Sequence, residues 1–294
     1  MIILYNGMGR YLLSPQKTSQ TTAVLCPNCR RLVSTDEHRC PYCGVVAPGA
    51  RWKHSFFAKG LTDTRRFVEI LIMVNGIMYL VSLLLSHSGP HVSLNPLYFL
   101  SPDSQSLILL GGTGTIPIDR LHRWWSLLSA SYLHGGIFHI IFNMLALRQI
   151  APLIIQEYGT YRMFIIYTLG GVGGSLVSYL AGVQLTIGAS AAICGLIGAA
   201  LYYGRHRGGT YGQTIYRQVG GWALGLVVFG LLVPGINNWG HGGGIAAGIL
   251  LGMMLGYQER KVETFAQRQI AIVLMLGTAL VLVWAGVTAL LYQL

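Results

Sequence analysis

Charge is scarce in this chain. Only 10% of its 294 residues are charged, and only 9 are acidic. Soluble domains carry roughly 25% charge, so an ordinary water-soluble domain is excluded. No triplet glycine period is present, which excludes a collagen-like chain. A hydrophobic fraction of 53% excludes a disordered one. Cysteine is also rare: there are 5, and Cys26, Cys29, Cys40 and Cys43 crowd together. That clustering reads as a metal site and not as a secreted disulfide framework. The opening MIILYNGMGR reads as no signal peptide, because its apolar run is too short and no cation precedes it.

What the chain has in quantity is apolar side chains and glycine, 39 of the latter. This combination predicts an all-α polytopic membrane protein. Seven apolar segments are read at 67–86, 134–155, 162–182, 190–203, 218–233, 239–257 and 270–292. Most approach the roughly 20 residues that cross a bilayer core. The fourth is short. Its length of about 21 Å falls below the roughly 30 Å core, so it is expected to begin inside the membrane, facing protein or a wet cavity. Ahead of these segments lie residues 1–20, read as a flexible N-terminus, a cysteine module at 21–47 and a basic linker at 48–66. Residues 67–292 form the expected membrane domain. Its long loop, 87–133, carries Trp124 and Trp125 beside Arg123 and is expected to pack at the membrane surface.

With the N-terminus in the cytosol, every Lys and Arg falls on the cytosolic side except Arg120 and Arg123. That is a positive-inside pattern. It explains the net charge of +11 without nucleic acid, and no nucleic-acid partner is expected. The expectation is a multi-pass protein of a prokaryotic cell membrane with the cysteine module in the reducing cytosol.

The module reads Cys26-Pro-Asn-Cys29, then Cys40-Pro-Tyr-Cys43. Each Cys-x2-Cys turn supplies two thiolates, and together they make a tetrahedral four-sulfur shell, as in a short zinc ribbon. Zinc is expected, with iron as the rival. A closed shell has no open position for chemistry, so the expected role is structural or partner-docking. Cys194 lies in a span and is not read as a ligand.

Span counting puts the N-termini of the second, fourth and sixth segments on the non-cytosolic side. They open with His134 through His139 to Asn143, with Gly188-Ala189-Ser190, and with Gly240-His241. His139 and Asn143 are four apart and share a helix face. Gly244, Gly248, Gly252 and Gly256 form a ridge that permits close helix approach. If that ridge faces the fourth segment, His241 comes within reach of Ser190. A hydroxyl beside an imidazole is the minimum for nucleophilic acyl transfer. His139, Asn143 and free backbone N–H groups can then meet an oxyanion. His134 and His139, if on one helix, would diverge by 140° around the axis, which is poor for a shared metal ion.

At these residues the sequence resembles the rhomboid family of intramembrane serine proteases. The likeness runs over about 67–292. It includes His134-x4-His139-x3-Asn143-Met144, Gly188-x-Ser190, and His241 followed by Gly244 and Gly248. It also takes in Tyr158-Gly159 through Gly170-Gly171-Val172-Gly173-Gly174-Ser175. The resemblance implies a six-helix core, here with a seventh helix appended. It implies Ser190 as nucleophile, His241 as general base and acid, and an oxyanion hole of His139, Asn143 and the Ser190 N–H. His134 would brace the first loop. No cofactor would be needed for catalysis, and the substrates would be single-pass membrane proteins cut near the outer face. Three residues depart from the family pattern: Ala191 where Gly is usual, Cys194 where an aromatic is usual, and Ser126 where Arg is usual, with Arg123 nearby. A non-catalytic relative that binds client helices is the alternative reading. A solute channel or transporter ranks below both, since no two-fold hydropathy repeat is evident. The oligomeric state is not legible.

Overall fold

The computed structural model describes residues 23–26, 31–44, 46–50, 64–87 and 99–293. The flexible segment expected at 1–20, the fourth thiol Cys29 and most of the basic linker lie outside the described residues. The chain divides into two compact units, 1–62 and 63–294.

The first unit holds a hairpin of β1 (Ala23–Leu25) and β2 (Leu32–Ser34), paired antiparallel with Val24 opposite Val33. Its core is Cys26, Val33 and Cys40, with Val24 and Cys43 packed against them. So few apolar side chains stabilise a fold weakly, as expected for a module that leans on a metal.

The second unit is helical. Seven long helices are present among the described residues: α1 (Thr64–Leu84), α4 (Ile137–Tyr158), α5 (Thr160–Leu180), α6 (Ser190–Arg207), α7 (Gly209–Leu232), α8 (Asn238–Leu255) and α9 (Phe265–Gln293). Short helices α2 (Ser104–Leu109) and α3 (Ser126–Ser129) lie in the long loop. That loop belongs to the helical unit and is not a separate domain. Five helices are long and apolar enough to cross a membrane: α1, α4, α5, α7 and α9. Helices α6 and α8 fall short of that measure.

Helix α6 fills the centre. It is buried from Ala191 through Ala200, and it packs on α8, α5, α7 and α4. Its Ala and Gly residues let neighbouring backbones come close. A β-carbon on Gly195 would stand 2.9 Å from the α-carbon of Gly170 in α5. One on Gly248 would run into the Gly195 carbonyl, and one on Gly244 into the Ala191 carbonyl. Three helix backbones therefore meet at Gly195. The ridge expected on α8 does face α6, but only through Gly252. Gly256 instead ends the helix with φ +69°, a left-handed C-terminal cap.

Two boundaries differ from the hydropathy reading. Helix α6 runs to Arg207, 18 residues instead of fourteen, because Gly204 to Arg207 continue the helix past the apolar run. Helix α7 starts at Gly209, with polar residues such as Gln213 and Arg217 forming its first turns. Residues outside the hydrocarbon can stay helical without being apolar.

The α4–α5 turn is locked to the segment before α9. Arg162 is fully buried, and its guanidinium donates to Gln267 Oε1 (2.9 Å) and to the carbonyls of Lys261 and Val262 (2.8 Å each). Glu263 accepts from the backbone N–H of Tyr161 (2.9 Å) and Arg162 (3.0 Å), at the N-terminus of α5. Burial lifts its carboxyl above the usual range, and those N–H groups and Arg162 pull the other way.

The glycine seam yields the first prediction. Gly248→Val should force α6 and α8 apart and lower the thermal unfolding transition, at a cost of about 3 kcal/mol or more. Gly225→Ala, where no atom lies within 4 Å, should leave it unchanged. Thermal melts followed by circular dichroism in detergent compare the two.

Candidate functional site

The start of α6 is built by the loop before it. Gly188 has φ +117°, a conformation that favours glycine. Its N–H donates to the Ala130 carbonyl (2.9 Å), which hangs the loop on the segment after α3. Ala189 stands at the N-cap and offers no side-chain acceptor to the first turn. Ser190 opens the helix half-buried, with the next ten residues buried. The backbone N–H groups of that first turn have no intrahelical partner.

His139 comes in from α4. A β-carbon on Gly188 would stand 2.7 Å from His139 Nε2 and 3.7 Å from Ser190 Oγ. The imidazole and the hydroxyl thus flank one glycine α-carbon. His139 Nδ1 accepts from the Gly135 N–H (3.2 Å). A neutral ring in that state carries its proton on Nε2, so the nitrogen near Ser190 is a donor. One turn on, Asn143 is buried and its Nδ2 donates to the His139 carbonyl (2.8 Å). Asn143 and His139 lie on one face, as their spacing predicts.

His241 lies in the first turn of α8. The seam pairs Ala191 with Gly244, Gly195 with Gly248 and Ala199 with Gly252. In that parallel register His241 falls less than one turn from the level of Ser190. His241 is 7% exposed, and its Nδ1 is buried with no hydrogen-bond partner. Cys194 is fully buried one turn below Ser190, with its β-carbon against Gly244.

His134 precedes α4, so the angle worked out for two histidines on one helix does not apply. The chain turns between them, and the rings meet edge to face at 5.1 Å. His134 is fully buried and neither ring nitrogen has a partner. In the long loop, the Arg123 guanidinium lies 5.9 Å from the Trp125 ring centre and donates to the Ile108 carbonyl (2.8 Å).

The sequence reading missed a polar group behind the site. Asn237 caps α8 by accepting from the Gly240 N–H (3.0 Å). Its Nδ2 donates to Ser178 Oγ (2.7 Å) and Thr186 Oγ1 (3.1 Å). Thr186 pairs by backbone with Thr113. The signal for the cap was present, since Asn is a favoured N-cap residue and Asn237-Asn238 precedes an apolar helix.

The second candidate site is in the hairpin unit. The sulfurs of Cys26, Cys40 and Cys43 all lie within 4.8 Å of one another, and those of Cys26 and Cys43 are 3.6 Å apart. Tetrahedral zinc thiolates stand about 3.8 Å apart. Two of the three cysteines are buried, and the Cys40 carbonyl accepts from the Gly44 N–H (2.9 Å), closing a tight turn. Three such thiolates fit a metal ion. Cys29 lies outside the described residues.

Comparison with known proteins follows the same division. A Rhomboid domain matches residues 121–258, which hold His134, His139, Asn143, Ser190 and His241. RHOMBOID-like protein 4 of Arabidopsis thaliana is 36% identical over 163 residues, covering 55% of this chain and 41% of the relative. Rhomboid protease GluP of Bacillus subtilis is 31% identical over 186 residues, covering 63% and 36%. RHOMBOID-like protein 1 of Arabidopsis thaliana is 35% identical over 164 residues, covering 54% and 41%. The chain spans about two fifths of the length of these relatives. Residues 121–258 of the chain therefore carry a Rhomboid domain, set in a helical membrane unit whose six-helix core is extended by a seventh helix.

Proposed function

We propose that the chain is an intramembrane serine protease that hydrolyses peptide bonds of single-pass membrane proteins near the outer membrane face. The observation that carries the reading is the junction at Gly188, where Ser190 Oγ and a donor nitrogen of His139 flank one backbone atom. In this reading Ser190 Oγ attacks the scissile carbonyl while His241 takes its proton. The bond to nitrogen then breaks as His241 returns the proton to the leaving amine. Water repeats the cycle on the acyl-enzyme. The negative oxygen meets His139 Nε2–H, the Asn143 amide and the Ser190 N–H. The unpartnered Nδ1 of His241 fits a dyad with no acidic third member. His134 braces the entry to α4, and Gly244 and Gly248 bring α8 against α6. No cofactor takes part in the chemistry.

The hairpin unit is a zinc ribbon in this proposal, with Cys29 completing the shell of Cys26, Cys40 and Cys43. The distribution of Lys and Arg supports a cytosolic position for it. The bilayer and transmembrane substrates are the partners.

A second reading is a non-catalytic relative that holds client helices. Cys194 favours it, because a thiol fills less space beside α8 than an aromatic ring would. Its signature is client binding by a wild-type protein that cuts nothing.

Four outcomes are expected. Ser190→Ala and His241→Ala should each reduce cleavage of a model membrane substrate on the order of 10³-fold or more. The double variant should be no worse than either, with the thermal transition unchanged. A fluorophosphonate should label wild type at Ser190 alone; persistent cleavage by purified Ser190→Ala would refute the assignment. Gly188→Ala should slow cleavage by about ten-fold, because its methyl meets His139 Nε2 and its backbone is strained. Elemental analysis should find one zinc per chain, lost in Cys40→Ser. That loss should expose residues 21–50 to proteolysis without shifting the melting of the helical unit.

A further inference from the structure

Helix α9 lies outside the matched domain, which ends at residue 258. It is not a loose appendage. One stripe is buried: Ala271, Thr278, Leu282, Ala285 and Ala289. The spacing of three, four or seven residues makes a single seam, and α9 packs with it on α5, α3 and α2. Its opposite side, with Val273, Leu280 and Val283, is exposed and apolar, as a lipid-facing surface is. The helix is fastened at two further points. At its first turns Gln267 receives the buried Arg162 guanidinium. About two thirds of the way along, the Trp284 ring meets Trp125 edge to face, with centres 4.9 Å apart and planes at 79°, a favourable aromatic geometry.

Trp125 immediately precedes α3, the element on which the site hangs. Its ring and Ser129 cover Gly111, which has φ +96°. Ser126 Oγ donates to Thr113 Oγ1 (2.9 Å), and Ser129 Oγ donates to the Gly111 carbonyl (2.8 Å). From Thr113 the backbone bridge leads to Thr186, and from Thr186 the Asn237 amide leads to the cap of α8, four residues before His241. On the other branch Ala130, just after α3, accepts from the Gly188 N–H, two residues before Ser190. The lead-in to Ser190 therefore touches one short stretch, 111–130, directly, the lead-in to His241 reaches it through Thr186, and Trp284 packs on that stretch at Trp125.

We propose that Trp284 of α9 is a positioning residue for the reaction: by clasping Trp125 it holds residues 111–130, and through them the starts of α6 and α8, at the spacing catalysis needs. The inference rests on the protease reading, but its effect on the loop does not. A clasp of this kind acts on the geometry of the dyad and not on substrate docking. Small displacements of reacting groups are costly to rate, so kcat is the parameter that falls.

The test uses the full chain in proteoliposomes with a model transmembrane substrate, and amide hydrogen exchange on the same samples. Trp284→Ala should lower kcat about ten-fold with KM within two-fold, and speed exchange at 111–130 while α5, α6 and α8 stay protected. Trp284→Phe should restore kcat to within two-fold of wild type. Trp125→Ala should reproduce the loss, and the double variant should add nothing, as for two residues acting through one contact. Val283→Ala, on the lipid side of the same helix, should change neither readout. The proposal is overturned if Trp284→Ala leaves kcat and loop exchange at wild-type values. It is also overturned if the loss comes with deprotection of the whole bundle that Phe does not rescue, which is a purely structural role. A wild type that cleaves nothing would end the protease reading, whereas the exchange arm would still decide whether the pair holds the loop.

Discussion

The close approach of three helix backbones at Gly195 is the constraint from which the rest of the helical unit follows. Gly170 of α5 and Gly248 of α8 press on it from two sides, and no side chain larger than hydrogen fits between. Without a hydrophobic drive between helices in lipid, such seams hold by van der Waals contact over a long interface. The seam also fixes a register. Ala191 with Gly244 and Ala199 with Gly252 set the height of α8 against α6, so the start of one helix is level with the start of the other. The placement of Ser190 and His241 is a by-product of that packing. Among the described residues the His241 side chain is not anchored by its Nδ1, which is unpartnered; the backbone holds it, through the His241 N–H to the Asn237 carbonyl (3.2 Å).

What was legible in the sequence is what period and composition encode. The helices came through because an apolar run of bilayer length is rarely anything but a membrane helix. The four-spaced glycines of α8 announced a contact face, and the partner face could be argued from span counting. Ends were less legible. Gly256 continues the spacing of the ridge, yet it terminates α8, because a left-handed glycine ends a helix without disturbing the pattern before it. The polar first turns of α7 were invisible to hydropathy, since helix formation there does not need lipid. Contacts between distant loops were hidden altogether. Nothing in the letters of Thr113, Thr186, Ser178 and Asn237 pairs them; only the fold brings together residues from four separate segments.

The loop before α4 shows how local chemistry and packing share the task. Gly111 and Gly114, both at positive φ, bend the chain where a β-carbon would be obstructed. Hydroxyls of Ser126 and Ser129 then satisfy what the bends leave open. Arg123 lies over the Trp125 ring two residues on and ties back to the Ile108 carbonyl. The hairpin unit solves a different problem. With three cysteines making up most of its core, its folding and its ligand chemistry are the same event.

Five of the seven long helices can enter a bilayer on their own apolar content, and the two that cannot are α6 and α8. Their glycine, alanine and polar residues suit a protein interior and serve poorly as a ticket out of water. Each is flanked in sequence by more apolar helices, α5 and α7 around the first, α7 and α9 around the second. The composition that lets the centre of the bundle close is thus the one least suited to face lipid alone.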